Sequence, residues 1–126
     1  MAYNILLVDD SKTVRAVIRK TLEIADVPVA ELHEASNGRE GLDVLRTRQI
    51  DLVFADINMP VMDGVEMVAR MAEDGMLARV RVVIVSTEGS STRIEDLRAK
   101  GIAGYLRKPF TPESLRQVMN DVMGGV

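Results

Sequence analysis

The stretch Ile5-Leu6-Leu7-Val8-Asp9-Asp10 is an apolar run that ends in two acids. The run Leu52-Val53-Phe54-Ala55 leads into a single acid, Asp56, and Tyr105-Leu106-Arg107 is followed by Lys108-Pro109. Short apolar runs without alternation are typical of strands that are buried on both faces of a parallel sheet. These segments therefore predict an interior sheet whose strands lead directly into charged residues.

Segments with helical spacing separate the apolar runs. Val14, Ile18 and Leu22, for example, fall on one face of a predicted helix. The full pattern has strands near residues 5–8, 29–35, 52–55, 80–85 and 104–107, each followed by a helical segment. Five strands that alternate with five helices require crossover connections. The sequence thus predicts an α/β fold, a doubly wound (βα)5 parallel sheet with helices on both faces.

Composition limits the functional classes. The chain has 126 residues, with 47% apolar and only 3% aromatic residues, so we expect a single domain over residues 1–126 with an aliphatic core. A net charge of -3 argues against a nucleic-acid partner, which requires a basic face. The absence of cysteine excludes thiol chemistry and disulfides. No segment resembles a membrane span or an export signal, so we expect no membrane insertion and a cytoplasmic location.

The charged residues at the strand ends predict a metal site. Parallel strands end at the same edge of a sheet, and ligands of open α/β sheets bind there. Asp9, Asp10, Asp56 and Lys108 should therefore share one crevice. Three carboxylates this close are unfavourable unless a cation or a proton neutralises them, and Mg²⁺ is a cation that prefers such ligands.

Asp56 lies at the centre of the predicted crevice, and two roles remain open for it. It is either a third metal ligand or a carboxylate nucleophile that forms an acyl phosphate. In the second case Lys108 would supply positive charge, with Pro109 in the cis or the trans form. Ser86 and Thr87 end the fourth predicted strand, where a hydroxyl either caps a turn or donates to a phosphoryl oxygen.

Four motifs in combination make the chain similar to response-regulator receiver domains, in particular to the single-domain chemotaxis members. They are Val8-Asp9-Asp10-Ser11, Asp56-Ile57-Asn58-Met59-Pro60-Val61-Met62-Asp63-Gly64, Val85-Ser86-Thr87-Glu88 and Gly104-Tyr105-Leu106-Arg107-Lys108-Pro109-Phe110. The resemblance covers essentially the whole chain. It implies the flavodoxin-like strand order 2-1-3-4-5 and a single receiver domain.

The resemblance also implies a role for each residue of the crevice. Asp56 would accept a phosphoryl group from a phosphohistidine on a histidine kinase. Asp9, Asp10, Asp56 and the backbone carbonyl of Asn58 would bind Mg²⁺, and Lys108 would pair with the phosphoryl group. Such a domain catalyses only its own phosphotransfer and self-dephosphorylation, so it is not an enzyme in the ordinary sense.

The resemblance further implies a switch and an output surface. Ser86 would move toward the phosphoryl group, and Tyr105 would turn inward. The output surface would comprise the fourth helix, fifth strand and fifth helix, including Ile94, Tyr105 and Arg107. Its partner would be a target protein in chemotaxis or motility, such as a flagellar motor switch, and a phosphatase is a further candidate partner.

Thr87 departs from the family pattern, in which an alanine or a glycine is usual after the hydroxyl residue. A β-branched side chain beside the phosphoryl site would narrow access to Asp56. We therefore expect slower phosphorylation by small donors, and slower loss of the phosphoryl group, than in a Thr87→Ala variant.

Three other classes of protein compete with this interpretation. Phosphatases of the haloacid dehalogenase type also use an aspartyl phosphate and Mg²⁺, but their two aspartates are separated by one residue, whereas Asp9 and Asp10 are adjacent. Flavin-binding modules of the same topology hold phosphate in a loop after the first strand, where these two acids would repel it. A degenerate receiver that acts as a constitutive docking module is the third alternative.

Overall fold

A computed structural model of the chain describes residues 2–87 and 91–124. The strands are β1 (Tyr3–Val8), β2 (Val29–Ala35), β3 (Leu52–Ala55), β4 (Arg81–Ser86) and β5 (Gly104–Arg107), and the helices are α1 (Lys12–Ile24), α2 (Gly38–Thr47), α3 (Gly64–Glu73), α4 (Ser91–Lys100) and α5 (Pro112–Met123). All strands pair in parallel in the order β2-β1-β3-β4-β5. The predicted (βα)5 alternation and the flavodoxin-like strand order are both confirmed.

Helices cover both faces of the sheet because successive residues of a buried strand point in opposite directions. Leu6 and Val8 of β1 belong to the apolar cluster beneath α2, α3 and α4. Ile5 and Leu7 belong to the cluster beneath α1 and α5. The interior strands are buried on both sides, which explains why their sequences show no alternation.

Strand register aligns the ends of the interior strands. Val8 of β1 lies opposite Ala55 of β3, so Asp9 and Asp56 both follow directly at the same edge. Backbone hydrogen bonds continue beyond the strands: the Asp56 N–H donates to the Val8 carbonyl at 3.0 Å. On the far side, the Lys108 N–H donates to the Ser86 carbonyl at 2.9 Å. The sheet itself thus fixes Asp56 and Lys108, which are the first residues after β3 and β5.

Side-chain caps begin the helices that follow these loops. Ser11 Oγ accepts a hydrogen bond from the Val14 N–H at 3.2 Å and caps α1. Asp63 Oδ1 accepts from the Glu66 N–H at 2.9 Å and caps α3. Thr111 caps α5 with Pro112 in the first turn, as the sequence predicts, and Ser114 completes a reciprocal capping box.

Two chain segments differ in detail from the sequence-based expectation. We expect Pro28 to break the first helix, but α1 already ends at Ile24, and Asp26 adopts a left-handed conformation with a φ of 57°. A short 3-10 helix at Met76–Ala78 was not predicted. Gly75, with a φ of 73°, ends the preceding helical turn and allows Met76 to return to the core.

Val61 has an unfavourable backbone conformation. Its φ is 68°, although β-branched residues rarely adopt the left-handed region, and its side chain is 75% exposed. Because asparagine tolerates this region, we expect Val61→Asn to raise the free energy of unfolding by about 1 kcal/mol. Urea denaturation checks this value. Val61→Ala removes the β-branch but has no polar group to bond the local backbone, so it should gain less. A Val61→Asn protein that is no more stable than the wild type would contradict the expectation.

Candidate functional site

Three carboxylates meet at the carboxyl edge of the sheet. Asp9, Asp10 and Asp56 each offer one oxygen, and these oxygens lie within 4.8 Å of one another. Asp9 is buried, Asp56 is half-buried and Asp10 is exposed. The structure therefore brings together the three acids that the sequence placed in one crevice, in a gradient from the protein interior to solvent.

Asp9 is the innermost carboxylate. Its Oδ1 accepts a hydrogen bond from the Ser11 N–H at 2.8 Å, and its Oδ2 lies 3.2 Å from Lys108 Nζ. Burial raises the pKa of Asp9 above its ordinary value, and the bonds from Ser11 and Lys108 only partly offset this effect. The nearby charge of Asp56 raises the pKa further. A bound cation would favour the ionised form of Asp9.

Lys108 supplies the only positive charge that contacts the carboxylates among the described residues. Its Nζ lies 3.2 Å from Asp9 Oδ2 and 3.4 Å from Asp56 Oδ2, and the side chain is 18% exposed. The Lys108–Pro109 peptide bond is cis, one of the two forms that the sequence left open. The ammonium group thus lies between two acids and is within reach of an anion on Asp56.

Asp56 presents its two oxygens to different partners. Oδ1 accepts a hydrogen bond from the Ile57 N–H at 2.7 Å, and Oδ2 faces Lys108. The side chain is 14% exposed, so solvent reaches it. Asn58, whose carbonyl was expected to bind metal, lies two residues further along the same loop with an exposed side chain. The arrangement suits a carboxylate that reacts at one oxygen while the other is held.

The residues predicted to form the switch lie on β4 and β5. Ser86 is buried, and Tyr105 is half-buried and donates its hydroxyl to the Ser86 carbonyl at 3.1 Å. Ile94 and Tyr105 both pack against the cluster beneath α2, α3 and α4, whereas Arg107 is exposed. Thr87 is exposed just beyond β4. Glu88, the last residue of the fourth-strand motif, lies outside the described residues.

Two features of the site were missed by the sequence analysis. The first is Arg15, which donates to the Asp9 carbonyl and pairs with Glu34 on β2. The available signal was weak: Arg15 and Arg19 are four residues apart on one helical face, and an acid lies on the neighbouring edge strand. Such pairs are common on protein surfaces, and nothing in the sequence directs this one to Asp9.

The second missed feature is the close approach of Gly64 to Asp56. A Cβ atom at Gly64 would lie 2.2 Å from the Asp56 carbonyl oxygen and 3.0 Å from the Ile57 Cα. The sequence identifies Asp63-Gly64 as a turn and helix start, which is correct, but the distance between α3 and the Asp56 backbone depends on tertiary structure. Glycine therefore allows α3 to begin directly against the backbone of Asp56 and Ile57.

The single histidine of the chain, His33, lies outside the crevice. His33 is on β2 and its Nε2 is 2.9 Å from Glu31 Oε1, so it pairs on the strand rather than in the crevice.

Across the described ranges 2–87 and 91–124, the helices are all too short or too polar for a bilayer crossing.

Comparisons with known proteins agree with this geometry. Residues 5–120 match the family model of the response regulator receiver domain. A chemotaxis protein CheY homolog of Campylobacter jejuni is 32% identical over 121 residues, which cover 95% of this chain and 92% of that protein. CheY1 of Helicobacter pylori is 30% identical, over 95% of this chain and 96% of that protein.

Solved structures show the same relationship. Vibrio cholerae CheY4 superposes with a TM-score of 0.84 at 32% identity, over 97% of this chain and 99% of that chain. A chain of the complex of CheX, CheY, BeF3 and magnesium from Borrelia burgdorferi superposes with a TM-score of 0.86 at 25% identity, over 96% of this chain and 89% of that chain. This chain therefore belongs to the response regulator receiver domain family and is of the CheY type.

Proposed function

We propose that this receiver is a phosphorylation-controlled switch in which Asp56 accepts a phosphoryl group from a histidine kinase. Receiver domains are signalling modules rather than enzymes in the ordinary sense. The observation that carries the proposal is the position of Asp56, with one oxygen facing Lys108 and two further carboxylates within 4.8 Å. The cytoplasmic location expected from the sequence and the extent of the domain over residues 1–126 remain predictions.

The donor set at this edge fits Mg²⁺. Carboxylate oxygens are the ligands that this ion prefers, and three like charges in partial burial need a cation. Asp9, Asp10, Asp56 and the Asn58 carbonyl would hold the ion. When bound, Mg²⁺ supplies charge neutralisation to the phosphoryl oxygens.

Asp56, Lys108 and Ser86 would each take a separate role in phosphoryl transfer. An Asp56 carboxylate oxygen forms a bond to phosphorus while the bond from phosphorus to the donor imidazole nitrogen breaks, and the donor takes up a proton. Such transfers depend on positioning and charge neutralisation more than on acid-base groups. Lys108, already 3.4 Å from Asp56 Oδ2, would pair with a phosphoryl oxygen. Ser86 would donate its hydroxyl to another.

Phosphorylation would act on the target through the surface formed by α4, β5 and α5. A phosphoryl group shifts an equilibrium only through interactions that differ between the two states. Hydrogen bonds from Ser86 and Lys108 to a charged phosphoryl group contribute about 1.5–3 kcal/mol each. Tyr105, which contacts the Ser86 carbonyl, would transmit the change to a surface that includes Ile94 and Arg107.

The resemblance to CheY guides the choice of partners. We infer a histidine kinase as phosphodonor and a chemotaxis or motility protein, such as a flagellar motor switch, as target. The Borrelia burgdorferi complex pairs CheY with CheX, so a protein of the CheX kind is a further candidate partner. The phosphatase that the resemblance implies stays a prediction.

Intact-mass spectrometry after incubation with acetyl phosphate and Mg²⁺ tests the proposal. We expect wild type to gain one phosphoryl group, Asp56→Asn to gain none, and added EDTA to prevent the gain. Asp43→Asn is the matched control, because Asp43 is an exposed acid on α2 that lies outside the site. A wild-type protein that gains no phosphoryl group would favour the degenerate docking module instead.

Thr87 is expected to slow both halves of the phosphorylation cycle. Thr87 is exposed and directly follows buried Ser86 at the end of β4. Thr87→Ala should gain the phosphoryl group from acetyl phosphate faster, and lose it faster after donor removal, because a smaller side chain admits the donor and water more readily. Time-resolved intact mass measures both rates. Equal rates in the two proteins would contradict the expectation.

A further inference from the structure

We propose that Arg15 is a positioning residue that orients the Asp9–Asp10 peptide for metal binding. This inference rests on the proposed function, because it concerns the same Mg²⁺ site. Arg15 contacts none of the three carboxylates of the site. It would act through the backbone between two of them.

The geometry places the Arg15 guanidinium between the metal loop and the edge strand. One Nη donates to the Asp9 carbonyl, and Nε donates to Glu34 Oε1 at 2.8 Å. The Arg15 side chain is only 14% exposed. Glu34 is also bonded by Arg19, and it lies on β2 opposite Leu7 of β1, so the sheet fixes its backbone. Arg15 therefore links the β1–α1 loop to Glu34, which serves as its anchor on β2.

The contact from Arg15 acts on the peptide bond between Asp9 and Asp10 in the β1–α1 loop. The Asp9 N–H donates to the Ala35 carbonyl, and the Asp9 carboxylate is held by Ser11 and Lys108. The Asp10 side chain, in contrast, makes no hydrogen bond or ion pair with any other described residue. The Asp9 carbonyl and the Asp10 nitrogen belong to one planar peptide unit. Fixing that plane through the carbonyl determines the direction in which Asp10 leaves the loop.

The charge of Arg15, considered alone, would weaken Mg²⁺ binding rather than strengthen it. A guanidinium near a cation site repels the cation, so simple loss of the Arg15 charge should tighten Mg²⁺ binding. Orientation of the Asp9–Asp10 peptide should instead make Arg15 favourable for binding. Variants that preserve the charge but alter the reach separate the two effects. Lysine retains the charge but lacks the planar fork that bonds two acceptors at once.

Isothermal titration with Mg²⁺ alone tests the inference. We expect Arg15→Lys to weaken Mg²⁺ binding by about tenfold, as loss of a residue that orients metal ligands commonly does. Glu34→Asp preserves charge but shortens the anchor, and it should weaken binding in the same direction. Arg19→Lys is the matched control: Arg19 bonds the same Glu34 but does not contact Asp9, so its affinity should stay within about twofold of the wild type.

Urea unfolding without metal separates positioning from a general loss of stability. We expect the Mg²⁺ affinity to fall in Arg15→Lys at a free energy of unfolding close to that of Arg19→Lys. Unchanged Mg²⁺ affinity in both Arg15→Lys and Glu34→Asp would overturn the inference while leaving the proposed function intact. Failure of the wild type itself to bind Mg²⁺ would overturn the proposed function and the inference together.

Discussion

Asp10→Asn is expected to remove most of the stabilisation that Mg²⁺ gives through the proposed site. A ligand that binds only the folded state stabilises it by about 2.7 kcal/mol at 100 times its dissociation constant. For a chain of this size that corresponds to an increase of about 10 °C in Tm. If loss of one carboxylate weakens binding about 100-fold, the same Mg²⁺ concentration leaves only about 0.4 kcal/mol.

Asp10 is the best of the three acids for this experiment. It is exposed, and its side chain makes no hydrogen bond or ion pair with other described residues, so its replacement should not disturb the metal-free fold. Asp9 is buried against Lys108, and Asp56 is the proposed phosphoacceptor. Thermal unfolding with and without Mg²⁺ measures the effect, with Asp43→Asn as control. If Mg²⁺ raises the Tm of Asp10→Asn as much as that of the wild type, the ion binds at a site that does not include Asp10.

The increase in Tm that Mg²⁺ causes should become larger as pH rises. Burial raises the pKa of Asp9, so the folded, metal-free protein holds its proton more tightly than the unfolded chain does. That contribution to stability is present at low pH and is lost as pH rises from the ordinary pKa of an aspartate through the raised one. Mg²⁺ requires the ionised form and competes with the proton. Its stabilising effect should therefore grow over the same pH interval.

Much of the fold could be predicted because the interior strands carry strong local signals. The runs that end at Val8 and Ala55 are continuously apolar, and each is followed directly by an aspartate. Once these strands are parallel, their shared edge follows from topology, and it brings Asp9 and Asp56 together without further information. Met67 and Met71 are likewise four residues apart and fully buried, as expected for a packing face.

The remaining features depend on distances between elements that are far apart in sequence. Arg15 reaches Asp9 only because α1 packs beside β2, where Glu34 fixes the guanidinium. The left-handed conformation of Val61 runs against its own preference, so local propensity could not predict it. In each case tertiary packing determines the outcome, and a single sequence reports only the local preference.

Gly64→Ala is expected to lower the free energy of unfolding by about 3 kcal/mol, near the upper end for an added methyl group in a packed site. The new Cβ would lie 2.2 Å from the Asp56 carbonyl oxygen. The Gly64 N–H donates to the Ile57 carbonyl at 2.8 Å, which holds the backbone of Gly64 in place. Both neighbours are backbone, so no flexible side chain can move aside. Alanine is otherwise favoured over glycine in a helix by about 1 kcal/mol, which is too little to compensate.

Gly75→Ala separates this clash from the general effect of replacing a glycine. No heavy atom lies within 4 Å of a Cβ built at Gly75, so only its φ of 73° is unfavourable, at a cost of about 1–2 kcal/mol. Urea denaturation should therefore rank Gly64→Ala below Gly75→Ala in stability. Because the displaced group is the Asp56 backbone, the folded fraction of Gly64→Ala should also gain less phosphoryl group from acetyl phosphate. A Gly64→Ala protein as stable as the wild type would mean that α3 can move away from the Asp56 backbone at little cost.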